Sequence, residues 1–364
     1  MDDYKYSAIV DWAKKYILEN NLKADARFLS ENDLCAIHNV SRQTVRQALK
    51  VLESEGVIVR MRGSGTFVKA AEPKPEPSSR QNVGIISTYF SDYIFPSIIT
   101  GIEGVLKQNN IGIQLAITHN RVFEETQAIE NMLTQGICGL IIEPSKSALP
   151  NPNIKLYEEI KARNIPIVFF NAKYPWSDAP CIAMDDVLAG KIVTDHLFNN
   201  GHRNISAIFS LDDMQGHNRY HGFMNSCEEH GLKTAEQNVI WYSTAERDDL
   251  FTVNEKRIQA MLGNSTAVVC YNDKLAVDLL GFCRQKGLSV PDDISVVGID
   301  NSKLSTICDI PLTTVQHPHQ ELGKAAAEKL VSIIRDPLCK CEDVIFTPQL
   351  ITRDSVRRIG RSAR

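Results

Sequence analysis

The chain has 364 residues, with 40 Lys and Arg against 44 Asp and Glu for a formal charge of −4, and 43% of it is hydrophobic. That length predicts two or three domains with ample core, and no run of about 18 apolar residues is present to span a membrane. Nine cysteines, an odd number without a CxxC, sit mostly in apolar runs, as thiols do in a reducing compartment, and Met1-Asp2-Asp3 opens no signal peptide, so the expected location is cytoplasmic.

The first 70 residues predict three helices and a hairpin. Ile9, Ala13, Tyr16 and Ile17 fall at helical spacing. Ser30-Glu31-Asn32-Asp33 has the form of a capping box opening a short second helix, with Leu34 and Ile37 expected inward. After a turn at Asn39-Val40, Ser41 caps a third helix whose inward face is Val45, Ala48, Leu49 and Leu52, and Gly56 stops it. Arg42, Gln43, Arg46 and Lys50 lie on or beside the opposite face, where long basic and amide side chains suit phosphates and purine edges. Residues 57–59 and 66–68 then read as a hairpin turning at Arg62-Gly63-Ser64-Gly65. A lone helix with two arginines is usually a solvated face. Here the order of helix, helix-turn-helix and wing points instead to DNA. The local charge is modest: residues 1–70 hold 11 Lys and Arg against 9 Asp and Glu, a net of +2.

SENDL (30–34), VSRQTVRQAL (40–49), LESEG (52–56) and RGSGTFV (62–68) make residues 4–69 resemble the GntR-type DNA-binding domain. Two scaffold positions depart from that pattern: Phe28-Leu29 replaces Leu-Pro, and His38-Asn39 replaces an aromatic-glycine pair. The candidate DNA-contacting residues are Ser30, Glu31, Ser41, Arg42, Gln43, Thr44 and Arg46 in the helices. Lys5 and Tyr6 near the start and Arg62, Gly63 and Gly65 at the wing complete the set.

Residues 71–82, with Pro73, Pro75 and Pro77 among charges and serines, predict a semi-extended linker. Beyond it, apolar strands at 83–88, 111–117, 137–142, 165–170, 205–210, 239–242, 266–270 and 294–299 alternate with helices at 98–108, 124–135, 154–163, 187–199, 217–230, 254–262 and 273–286. Such runs suit strands buried on both faces of a parallel sheet. The pattern admits one sheet of eight strands; two lobes of about four each are expected, with 178–185 as crossover and 311–318 as return. Ligands of such sheets sit at the C-terminal ends of strands. Those loops carry Tyr93, His119, Glu143, Asn171, Tyr271, Asn272 and Asp300, the planar and aromatic groups that polyols require.

NGHRNISAI (200–208), Arg219-x-x-Gly222, YND (271–273), VPDDISVVGID (290–300) and LTTVQHP (312–318) make residues 81–355 resemble the LacI/GalR effector-binding domain. The whole chain is therefore expected as an α+β winged helix-turn-helix domain (1–70) followed by an α/β two-lobed periplasmic-binding-protein-like domain (83–364). The resemblance implies effector contacts for Arg219, Asp300 and His317. TYFSDYIFPSIITGIE (88–103), EPSKSALPNPNI (143–154) and EDVIFTPQLI (342–351) look closely like the arabinose repressors. That likeness implies a repressor of arabinose-utilisation genes that is released by L-arabinose. It also implies base contacts from Arg46 and Arg62 and backbone contacts from Lys5-Tyr6. Asp185, in the acid pair Asp185-Asp186, completes the candidate effector set as a hydroxyl partner or a helix cap.

No nucleotide-binding glycine motif follows a strand. His217 and His221 lack a third metal ligand, and no nucleophile sits in a G-x-S-x-G setting. Neither cofactor nor metal nor enzymatic activity is expected. The expected partners are double-stranded operator DNA, L-arabinose and a second copy of the chain, with no membrane. Alternative effectors are another pentose, a phosphosugar or a nucleoside; a solute-binding protein of a transport system and a sugar-acting enzyme are alternatives of other classes. The tail from Arg353, with five arginines and one aspartate, is expected as a disordered surface segment.

Overall fold

The computed structural model describes residues 3–20, 22–23, 26–54, 57–61, 65–68, 81–90, 93–232, 238–339 and 342–360. The chain divides into two compact units, Met1–Arg80 and Gln81–Arg364. The expected linker lies outside the described residues except for Gln81 and Asn82, and Asn82 already opens a strand.

The first unit contains α1 (Asp3–Glu19), α2 (Glu31–His38), α3 (Arg42–Ser54) and the hairpin β1 (Ile58–Met61) and β2 (Gly65–Val68). Val45, Ala48, Leu49 and Leu52 are fully buried against Ile9, Ala13 and Leu34, as their spacing requires. Ile37, expected inward, is half exposed. The hairpin is antiparallel with Ile58 opposite Val68 and Met61 opposite Gly65. The segment before α2 joins its edge, Phe28 N–H donating to Thr66 O at 2.8 Å.

The second unit begins with β3 (Asn82–Ser87), α4 (Phe95–Gln108), β4 (Gly112–Ile117), α5 (Val122–Gln135), β5 (Gly139–Ile142), α6 (Ile154–Ala162), β6 (Ile167–Phe170) and β7 (Cys181–Met184). It continues with α7 (Asp186–Asn199), β8 (Ile205–Ser210), α8 (Met214–Glu229), β9 (Val239–Tyr242), α9 (Leu250–Val253), α10 (Glu255–Gly263), β10 (Ala267–Cys270) and α11 (Asp273–Gln285). Last come β11 (Ser295–Val297), α12 (Leu304–Ile307), β12 (Thr314–Gln316), α13 (His319–Arg335), β13 (Val344–Phe346) and β14 (Gln349–Ile351). Two parallel sheets result, a six-stranded β13-β7-β6-β5-β3-β4 and a four-stranded β11-β10-β8-β9.

Two lobes were expected and two are found, but their shares differ. The segment 178–185 is not simply a crossover: β7 within it still pairs with β6 of the first sheet. The segment 311–318 contains β12, which pairs with β14. Helix α13, absent from the expected elements, returns to the first lobe and buries Leu322, Ala326 and Leu330 against β3 and β5 residues. The tail is also corrected, because residues 352–360 are bound along the second lobe. Arg353 donates to Leu312 O (2.7 Å), Ser355 Oγ to Val296 O (2.5 Å) and Ile359 N–H to Asn200 O (2.7 Å).

Each lobe carries one tight helix crossing. Gly222 of α8 lies over the backbone of Val187 in α7, and Gly190 of α7 over that of Arg219 in α8. A Cβ at either position would fall onto a carbonyl oxygen of the facing helix. The pair Gly101 of α4 and Gly323 of α13 repeats the arrangement in the first lobe. Because backbone, not a flexible side chain, is the obstacle, the helices must separate to admit a methyl. Gly222→Ala is therefore expected to destabilise the protein by about 1–3 kcal/mol, read as a lower urea midpoint with the denaturant slope unchanged. A midpoint equal to that of the parent chain would contradict the crossing.

Candidate effector cleft and nucleic-acid interface

Between the lobes lies a polar cavity of about 90 Å³, walled by Tyr93, Glu143, Asn171, Arg219, Tyr271 and Asp300, and by Asn272, whose Oδ1 also accepts Leu275 N–H to cap α11. Its centre is Arg219, fully buried on α8. Its Nε donates to Asp186 Oδ1 (2.8 Å), Nη1 to Tyr271 O (2.7 Å) and Nη2 to Asp300 Oδ1 (3.2 Å). Burial opposes the guanidinium charge, but Asp186 and Asp300 outweigh it and raise the pKa. The guanidinium also lies over the Tyr271 ring, 4.9 Å from its centroid. From the first lobe Tyr93 Oη reaches across and donates to Asp300 Oδ2 at 2.6 Å.

On the first lobe, Glu143 is buried at the end of β5. It accepts from Thr88 N–H (2.8 Å), Thr88 Oγ1 (2.5 Å) and Asn171 Nδ2 (2.7 Å). Burial raises its pKa, partly offset by these donors. Asn171 holds φ 64°, a left-handed conformation that asparagine tolerates, and its buried Oδ1 has no partner among the described residues. Asp300 holds φ 113°, strained for a residue with a side chain. Two loop residues of the cleft thus owe their aim to backbone geometry.

Three expected effector residues stand elsewhere. His119 is exposed and pairs with Glu124 at 2.9 Å. Asp185 caps α7, accepting Leu188 N–H at 2.9 Å, and it is the next residue, Asp186, that meets Arg219. His317 is buried off the cavity, stacked on His319 with ring centroids 5.0 Å apart, and burial drives its pKa well down. Residues that sequence reasoning did not assign to the site also line it, among them Thr88, Ser147, Tyr242 and Arg247. Asp213, an acid in the loop after β8, lines it as well. Arg247 follows a single 3-10 turn with no periodic signal, and its guanidinium lies 4.9 Å from the Tyr89 ring centroid across the cleft.

In the first unit, Ser30 caps α2 in a reciprocal pair with Asp33, and Ser41 Oγ accepts Thr44 N–H at 3.3 Å. Arg42, Gln43 and Arg46 are exposed on α3, Arg42 donating to Asn32 Oδ1 at 3.0 Å. Glu31 accepts from Arg46 Nε (3.0 Å) and Arg60 Nη2 (2.5 Å), tying α3 to β1. Slight burial works the other way, but these two cations hold its carboxyl below the ordinary range. Tyr6 packs against the core of the unit. Gly65 opens β2 at φ 120°. Arg62, Gly63 and the side chain of Lys5 lie outside the described residues. The departures at His38-Asn39 are accommodated: Asn39 takes the left-handed C-cap at φ 50°, and the His38 ring packs edge-on to Trp12 at 4.6 Å.

Residues 5–68 match the family of bacterial regulatory proteins of the gntR type, and residues 194–356 match the periplasmic binding protein-like domain. An arabinose metabolism transcriptional repressor of Geobacillus stearothermophilus is 40% identical over 98% of both chains. Another, from Halalkalibacterium halodurans, is 37% identical over 96% of both. The chain belongs to the family of arabinose metabolism transcriptional repressors. Among solved structures, the transcription regulator CcpA of Lactococcus lactis shares the fold with a TM-score of 0.68 at 22% identity, over 76% of this chain and all of that one. A CelR–cellobiose complex gives 0.67 at 20% identity, over 87% of this chain and 91% of that one.

Three acids and three bases line the repressor's cleft: Glu143, Asp213 and Asp300 with Arg219, Arg247 and Lys274. Asp213 accepts from Tyr271 Oη (3.2 Å) and Ser210 Oγ (3.3 Å), while burial and the neighbouring Asp212 lift its pKa from 3.8 to about 6. The folded protein therefore holds this proton more tightly than the unfolded chain, and stability falls as pH rises from about 4 to about 6. Because the carboxyl faces the cavity rather than packed protein, the loss is on the order of 1–2 kcal/mol. Asp213→Asn lacks it, so the variant is expected to be the more stable at pH 7.5, with the advantage fading by pH 4. Parallel melting curves across that range check this; a pH-independent difference would refute the origin in ionisation.

Proposed function

We propose that this repressor binds a two-fold-related operator as a homodimer and is released when L-arabinose occupies the interlobe cleft. The observation that carries the reading is the cleft itself. Amide, carboxylate, guanidinium and phenol groups from both lobes converge on one small cavity, and one of them, Asn171 Oδ1, is buried with no partner among the described residues. Fixed planar groups with an aromatic face suit the hydroxyls and ring of a small sugar. Around it Glu143, Asp213 and Asp300 stand against Arg219, Arg247 and Lys274, and Arg219 is already paired with Asp186 and Asp300, which favours an uncharged sugar over a phosphorylated one. The names of the two full-length relatives point to the pentose.

At the DNA, α3 carries Arg42, Gln43 and Arg46 on its exposed face, the side chains that read purine edges and phosphates in a major groove. Two copies related by a two-fold axis set two such helices on half-sites expected about one helical turn apart, or a multiple of it. Isothermal titration against L-arabinose, D-ribose and D-xylose, repeated with operator present, tests the reading. L-arabinose is expected to bind best and to weaken operator binding by about 5–150-fold. Simultaneous occupancy with neither weakened would end it. Arg46→Ala is expected to cost about 1–3 kcal/mol in operator binding with sugar affinity unchanged. A matching loss of sugar affinity would show that the two roles are not separate.

A further inference from the structure

The loop between β5 and α6 is wound around one carboxylate. Glu125 on α5 is fully buried and accepts from Ser145 N–H (2.8 Å), Tyr174 Oη (2.8 Å), Tyr157 Oη (3.0 Å), Asn151 Nδ2 (3.3 Å) and Asn153 Nδ2 (3.4 Å). Five donors from three parts of the lobe fix the loop, and what they hold out toward the other lobe is Lys146-Ser147-Ala148.

There the loop meets the start of α8. Ser147 Oγ accepts Met214 N–H at 2.9 Å, and Ala148 N–H donates to Asp212 O at 3.3 Å. Asn120 braces the contact, its Oδ1 accepting Lys146 N–H (2.6 Å) and its Nδ2 donating to Thr244 Oγ1 of the second lobe (2.6 Å). The first amides of a helix have no partner within it. In α7 the preceding residue supplies one, Asp185 accepting Leu188 N–H. In α8 it does not: the Asp213 side chain makes no cap and turns instead to Tyr271 and Ser210.

We infer that Ser147 is a positioning residue that caps α8 across the cleft, so that closure of the lobes is held by a helix cap supplied from the opposite lobe. Helix α8 also carries Arg219, so the contact sets the guanidinium's helix against the first lobe. Opening the cleft hands the Met214 amide back to water. The link to induction rests on the effector reading above; the cap itself does not.

Hydrogen exchange on the full chain, read by mass spectrometry with and without L-arabinose, tests it with Ser147→Ala and Ser147→Thr. Without sugar, Ser147→Ala is expected to speed exchange in the first turn of α8 about fivefold, the worth of a typical cap. Ser147→Thr restores the slower rate, and the first turn of α7 is unchanged in both. L-arabinose affinity falls by up to about fivefold in the alanine variant, because less of the protein is poised in the binding-competent form. Unchanged exchange at α8, or equal acceleration at α7 and α8, would overturn the cap. If L-arabinose protects no part of the parent chain, the effector reading fails, while the sugar-free comparison still judges Ser147.

Discussion

The second unit depends on one buried cation being neutralised from two directions. A guanidinium taken out of water costs several kcal/mol unless its partners are well placed. Arg219 has Asp186 at the start of α7, Asp300 beyond β11 and the Tyr271 carbonyl after β10. None of these groups is near another in sequence, so each element must stop at the right place for the charges to cancel. Removing the arginine would leave two buried carboxylates facing each other. The residue that joins the cleft together is thus also the one the lobe can least lose.

That compensation is set up by packing far less polar than itself. Asp186 and Arg219 meet because α7 and α8 touch backbone to backbone at Gly190 and Gly222. Such contact fixes the separation and rotation of two helices more tightly than interdigitated side chains, which can change rotamer. The first lobe repeats it with Gly101 and Gly323 and places α4, the helix just after Tyr93, against α13. Both walls of the cleft are therefore mounted on rigid helix pairs, and the freedom that remains lies in the strand ends and crossings between lobes.

Much of this was legible in the residues. The inward face of α3 and the alternation of strands and helices follow from apolar spacing alone. Strands β7, β12, β13 and β14 did not: each has only three or four residues, and β7 and β14 follow β6 and β13 with no helix between to mark them as separate strands. The cleft was legible by loop and not by position: Asp185 and Asp186 are adjacent acids, and only the start of α7 decides which caps and which turns to Arg219. His317 followed a family pattern, yet it is fully buried, stacks on His319 and does not line the cavity. Arg353 was read with a charged tail, whereas β14 delivers it to Leu312 O and Asn301 Oδ1. Composition describes what a segment contains, and pairing across the fold decides where it goes.

The energies involved favour a switch over a permanently closed body. Contacts between the lobes include Tyr93–Asp300, Ser147–Met214, Ala148–Asp212, Asn120–Thr244 and the Arg247 guanidinium over the Tyr89 ring, each of them polar. Net of the water each group gives up, such contacts contribute about 0.5–1.5 kcal/mol apiece, and they are offset by the ordering of the side chains that make them. An effector shifts an equilibrium only by its differential affinity for the two forms. Coupling of about 1–3 kcal/mol between sugar and operator is the size of one or two of these contacts. A cleft closed instead by an apolar seam would bury enough area to swamp that difference, and the sugar would then have nothing left to decide.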